Sequence, residues 1–159
     1  MRQLWAPWRL QYVQEAGAAD GCVFCQEAAG ELGDASLVVH RGERAVVLLN
    51  KFPYASGHLM VAPRRHIGSL SDLEAAEAAE VHALTVQGIA ALSEAYAPDG
   101  FNVGWNLGAI AGGSIAAHLH QHIVPRWSGD TNFMPVLADV KVLPEYLDST
   151  RDRLREAWK

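Results

Sequence analysis

The segment HLHQHIVPRW, His118 to Trp127, sets three of the chain's seven histidines within five residues, each separated from the next by one other residue. Side chains along a strand alternate between faces, so His118, His120 and His122 project together, with roughly 7 Å between successive Cα atoms. Leu119, Gln121 and Ile123 turn to the opposite face. An inert histidine stripe is a poor reading, because burying three titratable rings costs desolvation unless each finds a partner. Two chemical readings remain. Imidazole is a common zinc ligand, so the row suits a metal tripod. A neutral imidazole is also a good nucleophile, and its attack on phosphorus forms a phosphoramidate that splits one hard displacement into two easier ones. The second chemistry needs a fixed tautomer, donors for the phosphate oxygens and a proton for the leaving group. The flanking histidines can donate, and AGGS (Ala111 to Ser114) offers backbone N–H groups that approach a phosphate unhindered by side chains.

The chain's two cysteines, Cys22 and Cys25, are spaced as CVFC. In a reducing compartment that spacing points to metal or redox chemistry more than to a structural disulfide, although two thiols alone cannot close a zinc site. His82 falls within a helical pattern and is read as an ordinary helix residue.

The elements that must position these groups follow from local patterns. SLVVH (Ser36 to His40), RAVVLLN (Arg44 to Asn50) and GHLMVAP (Gly57 to Pro63) are β-branched or apolar runs bounded by turn residues, and predict three strands. SDLE reads as a capping box with Ser71 as N-cap. Leu73, Ala76, Val81, Leu84, Ala91 and Leu92 follow at helical spacing, so one long helix should run to about Tyr96. FNVGWN (Phe101 to Asn106) and AHLHQHIVP (Ala117 to Pro125) predict two more strands, joined by the glycine-rich LGAIAGGSIAA. A last helix is expected in LPEYLDSTRDRLREAW, while EAGAADG and EAAGELGD around the cysteines read as loops. The order fits an α+β domain with a mostly antiparallel five-stranded sheet, one long helix and a C-terminal helix.

A chain of 159 residues, half of them apolar, has room for one domain with a real core. A formal net charge of -5 without runs of like charge argues against gripping a nucleic-acid backbone. The start MRQLWAPWRL lacks the apolar core of a signal peptide, and no apolar run is long enough to span a bilayer. A cytoplasmic protein with no membrane or nucleic-acid partner is expected. Residues 1–20 read as an N-terminal arm that Trp5 and Trp8 anchor, 21–135 as the domain, and 136–159 as a C-terminal tail and helix.

HLHQHIV resembles the H-φ-H-φ-H-φ-φ signature of the histidine triad (HIT) family of nucleotide hydrolases and transferases, with Gln121 departing from the apolar pattern. LLNKFPYASGHLMVAPRRHIGSL resembles the family's upstream strand-turn-strand, and HIVPRWSGDTNF the continuation in its dinucleoside polyphosphate branch. The likeness covers roughly residues 22–133. It implies a HIT-like fold with His120 as nucleophile, His118, His122 and His58 around it, and His122 nearest the transferred phosphate. It further implies nucleotide contacts from Asn50, Asn106 and the backbone at Gly113 and Ser114. In zinc-bearing relatives a C-x-x-C pair joins two histidines, which here are His66 and His118, so the resemblance implies a structural zinc on Cys22, Cys25, His66 and His118. No organic cofactor is expected. A homodimer is implied as well, and Gln121 is expected at a polar or dimer-facing surface.

The tryptophan-rich start and VPRWSGDTNF look most like bacterial members acting on Ap4A, with either water or phosphate as the final acceptor. Three other readings stand beside it: a nucleoside phosphoramidate hydrolase, a non-catalytic nucleotide or zinc-binding module, and a zinc hydrolase that activates water between His118, His120 and His122.

Overall fold

The β-branched and apolar runs become five strands, β1 (Val38–Arg41), β2 (Ala45–Leu49), β3 (Leu59–Pro63), β4 (Gly100–Trp105) and β5 (Gln121–Arg126). The computed structural model describes residues 21–111, 117–130 and 145–159. The expected arm with Trp5 and Trp8, the loop residues Gly113 and Ser114, and residues 136–144 of the tail lie outside the described residues. The strands form one sheet in the order β1-β2-β3-β5-β4, antiparallel at every pairing. The α+β architecture, the antiparallel sheet, the long helix and the C-terminal helix are therefore as expected. Among the described residues no helix is long and apolar enough to cross a membrane.

The period-two alternation of the strands divides the core between two faces. Val47, Leu49, Leu59, Val61 and Ile123 meet Val81, Leu84 and Leu92 of α2 (Ala75–Tyr96) and Leu154 of α3 (Leu147–Ala157). On the other face Val38, Val46, Leu48, Met60 and Ala62 meet Phe24 and Ala28 of a short helix, α1 (Val23–Ala29). The expectation of loops around the cysteines is corrected here. Residues 23–29 are helical, ended by Gly30 in the left-handed region. The carboxylate of Glu27, buried in that helix, accepts from the Ser36 hydroxyl at 2.5 Å and the Leu37 N–H at 2.8 Å. That also delays the first strand, because Ser36 serves the α1 carboxylate while the ladder starts at Val38.

The long helix begins later than SDLE suggests. Ser69 caps a single 3-10 turn over Leu70–Asp72, and Leu73 is extended, so Ser71 is not the N-cap. Glu74 takes that place in a reciprocal capping box with Glu77. Ala76 is consequently exposed, and the buried face starts at Glu77 and Val81. Glu77 carries a second duty: Arg65 donates to it through Nε at 3.0 Å and Nη2 at 2.8 Å, tying the loop after β3 to the helix start. His82 is an exposed helix residue, as expected.

β5 starts at Gln121, so His118 and His120 lie just before the strand and only His122 within it. The expected alternation still holds locally: the His120 and His122 rings are 4.9 Å apart, while Gln121 faces α2. Gln121 does not sit at an outer polar surface. It is half-buried under α2, with its Oε1 2.5 Å from the Thr85 hydroxyl, and a polar partner on the covering helix is what lets a glutamine occupy that position.

Candidate functional site

The histidine row meets the turn between β2 and β3 on the α1 face of the sheet. Gly57, at φ +75°, makes the last bend of that turn, and a Cβ there would lie 2.8 Å from Leu92 Cδ2. The next residue, His58, is fully buried just before β3, two residues ahead of the Met60 that pairs with His122, and its ring stands beside that of His122.

Hydrogen bonds fix where the protons sit on these rings. The Tyr54 N–H donates to His58 Nδ1 at 3.0 Å, so the His58 proton is on Nε2, which donates to His122 Nδ1 at 2.9 Å. His122 therefore carries its proton on Nε2, 3.3 Å from Asn106 Nδ2, so that two N–H donors lie side by side at a cleft of about 530 Å³ lined by Tyr54, Trp105, Asn106, His122 and Arg126. Tyr54 packs against both rings of this pair, tilted against His58 at 4.6 Å between centroids and stacked with His122 at 5.9 Å. Asn50 is buried in the same turn: its Oδ1 accepts from the Phe52 N–H at 2.9 Å, and its Nδ2 is 3.4 Å from His58 Nδ1.

His120 is set the other way round. Its Nδ1–H donates to the His118 carbonyl at 2.8 Å, which leaves the Nε2 lone pair as the ring's basic and nucleophilic atom. Burial pushes its pKa below the ordinary histidine range, against the smaller opposing pull of that carbonyl, so the ring is neutral near pH 7. A positioned neutral imidazole next to an N–H donor of a second imidazole has the makings of nucleophilic catalysis on a phosphate.

His118 belongs to a second centre. Its Nε2–H donates to the Pro63 carbonyl at 2.8 Å, and its Nδ1 faces Cys22 Sγ at 3.2 Å, Cys25 Sγ at 3.6 Å and His66 Nδ1 at 3.2 Å. Cys25 Sγ is also 3.4 Å from His66 Nδ1, and all four ligand atoms lie within 4.8 Å of one another. Zinc–nitrogen bonds of ~2.0–2.1 Å and zinc–sulfur bonds of ~2.3 Å in a tetrahedron imply ligand-ligand edges of roughly 3.3–3.8 Å. The four individual spacings, 3.2–3.6 Å, lie close to that range. The donor chemistry fits too, since a protonated Nε2 bonded to a carbonyl turns the unprotonated nitrogen of His118 inward. Burial, then the hydrogen bond and charge of Cys22, push the Cys25 thiol up to about 11, a crowding that a bound cation would relieve.

The two centres exclude the expectation of a three-histidine metal tripod. Among the described residues the metal-capable side chains that converge are Cys22, Cys25, His66 and His118, without His120 or His122. His118 turns away to the cysteines, His120 is tied to the His118 carbonyl and His122 to His58, so no single ion meets all three rings. Gly113 and Ser114 lie outside the described residues. Two aromatic neighbours were not legible as site residues. Tyr54 was hidden in a turn, and Phe24 lies inside CVFC, which was read only for its cysteines.

A five-stranded antiparallel sheet presenting a histidine row beside a C-x-x-C cluster defines a recognisable class. The family model described as HIT domain matches residues 33–129, and the chain belongs to this family. It is 41% identical over 165 residues to a protein named AP-4-A phosphorylase from Mycobacterium tuberculosis, spanning 99% of this chain and 85% of that one. Among solved structures it resembles a hypothetical histidine triad nucleotide-binding protein from Sulfolobus tokodaii strain 7, with TM-score 0.69 and 27% identity over 86% of this chain and 91% of the other. It also resembles a Zn-bound histidine triad family protein from Mycobacterium smegmatis, with TM-score 0.70 and 26% identity over 86% and 92% of the two chains.

Proposed function

We propose that this protein cleaves the phosphoric anhydride of a dinucleoside polyphosphate of the Ap4A kind through a nucleotidyl-His120 intermediate. The observation that carries the reading is the tautomer of His120, whose Nδ1–H is held by the His118 carbonyl so that Nε2 keeps its lone pair. In the first step Nε2 attacks the α-phosphorus, a P–N bond forms, and the bond to the bridging oxygen breaks, releasing ATP from Ap4A. The Nε2–H of His122, set by the relay from Tyr54 through His58, faces the negative charge of the phosphate chain. In the second step an oxygen of water or inorganic phosphate attacks the same phosphorus, the P–N bond breaks, and its electron pair returns to Nε2. Phosphate gives ADP and water gives AMP. The likeness to a protein named a phosphorylase favours phosphate.

Zinc is the metal the cluster of Cys22, Cys25, His66 and His118 would hold, supported by its spacings and by likeness to a Zn-bound family member. Its chemistry there is structural, clamping the segments on either side of the catalytic row. The chain forms a homodimer in this reading. Supporting that, β4 is an edge strand among the described residues, and Val103 on it and Leu107 and Ile110 just after it are exposed. A monomeric sedimentation coefficient at micromolar concentration would count against the dimer.

A substrate panel tests the function: Ap4A, Ap3A, adenosine phosphoramidate and ADP, each with and without phosphate. Consumption of Ap4A with phosphate-dependent formation of ATP and ADP is expected. Turnover of the phosphoramidate alone, or of none of the four, would overturn the assignment.

A further inference from the structure

Phe24 stands between the two cysteines, is fully buried, and lies face to face with the proposed nucleophile. Its ring centroid is 4.7 Å from that of His120 at an interplanar angle of 29°, and 5.0 Å from that of His118 at 38°. The rest of its surroundings, Val38, Val46, Leu48, Met60 and Ala62, would be satisfied by any large apolar side chain. The histidine contact asks for more, because a flat ring against a flat ring sets an orientation as well as filling space.

The hydrogen bond from Nδ1–H to the His118 carbonyl fixes one atom of the His120 ring. With Cβ and Cγ held by the chain, that bond sets the ring's turn about Cβ–Cγ, and the Nε2 lone pair that must point at phosphorus lies in the ring plane; a face-to-face contact is a second restraint that keeps the plane from rocking about that bond. From this geometry we infer that Phe24 is a positioning residue for His120, holding the imidazole plane in the attack orientation. Both of its chain neighbourhoods are anchored, since Cys22 precedes α1 and Cys25 lies within it, and both thiols face the same cluster as His118. The two restraints on His120, one through the His118 carbonyl and one through the Phe24 ring, thus arise from residues that one centre pins. This explains why the C-x-x-C pair sits beside the histidine row and not elsewhere on the fold.

The inference rests on the proposed nucleotidyl transfer, and the test separates the two. Phe24→Leu keeps a large apolar group and removes the flat face. In the metal-loaded full chain, with metal content and melting temperature checked, quenched-flow should show nucleotidyl-His120 formation slowed more than tenfold. The dissociation constant for a non-hydrolysable Ap4A analogue should stay within threefold. A rate within threefold of the unmodified chain would overturn the inference. In parallel, the unmodified protein carrying 13C-labelled histidine reports directly on the stack. The Cε1–H resonance assigned to His120 by its disappearance in His120→Asn should be displaced upfield by the Phe24 ring current. A resonance at the position of the exposed His82 would overturn the inference even if Phe24→Leu fails to fold. If the unmodified chain forms no adduct, the catalytic reading fails and the resonance still decides whether Phe24 holds the ring.

Discussion

The reactivity assigned to His120 comes down to which nitrogen bears the proton. Its Nδ1–H is committed to the His118 carbonyl, and burial keeps the ring neutral where an exposed histidine would begin to charge. Asparagine at this position is smaller, polar and unable to attack phosphorus. His120→Asn is therefore predicted to lower kcat by about four orders of magnitude or more, while nucleotide affinity stays within a few-fold. Steady-state kinetics and equilibrium titration check the two halves, and a variant with more than a tenth of normal activity refutes the role. At this scale the row was legible because alternation on a strand is a local property. The tautomers were not, because they depend on carbonyls and rings brought in from Tyr54, His58 and Pro63.

The elements differ in how plainly the sequence announced them. The five strands and the long helix follow from periodicity that short-range sterics enforce. α1 escaped because its seven residues, VFCQEAA, ended by a glycine, give a window too short for a helical pattern, and its stability comes from burying Phe24 and Ala28. The start of α2 escaped because two carboxylates, Glu74 and Glu77, perform the capping that the serine at Ser71 seemed to offer. Glu77 is also where pH should act on this element. Hydrogen bonds from Arg65 hold its carboxyl below the usual carboxylate range, although burial opposes them. The folded chain thus takes up this proton at a lower pH than the unfolded chain does. The stability it adds is complete above the ordinary carboxylate value and disappears as pH falls through the lowered one. Glu77→Gln should reduce the melting temperature at pH 7, and its deficit should shrink as the pH is taken below about 4.5. Parallel thermal melts across pH check this, and a deficit that stays constant or grows in acid contradicts it.

Across the whole molecule, the cluster of Cys22, Cys25, His66 and His118 gathers segments far apart in the chain: the start of α1, the loop after β3, and the approach to β5. The spacing of the cysteines was visible in the sequence, but their convergence with His66 and His118 required the sheet to bring 22 and 118 together. Closing loops of this length with a bound ion favours the folded state. The purified protein should contain about one zinc per chain, and stripping it with a strong chelator should lower the melting temperature by roughly 10 °C or more. Elemental analysis showing no zinc, or a melting curve indifferent to the chelator, would contradict the cluster's assignment. The central claim is the covalent intermediate, and one measurement meets it most directly: acid-free quenching of the enzyme with Ap4A in the absence of phosphate, followed by peptide mass spectrometry. The structure predicts an adenylyl group on His120, labile to acid and discharged by added phosphate or water. A catalytically competent enzyme with no adduct, or with the adduct on another residue, would contradict it.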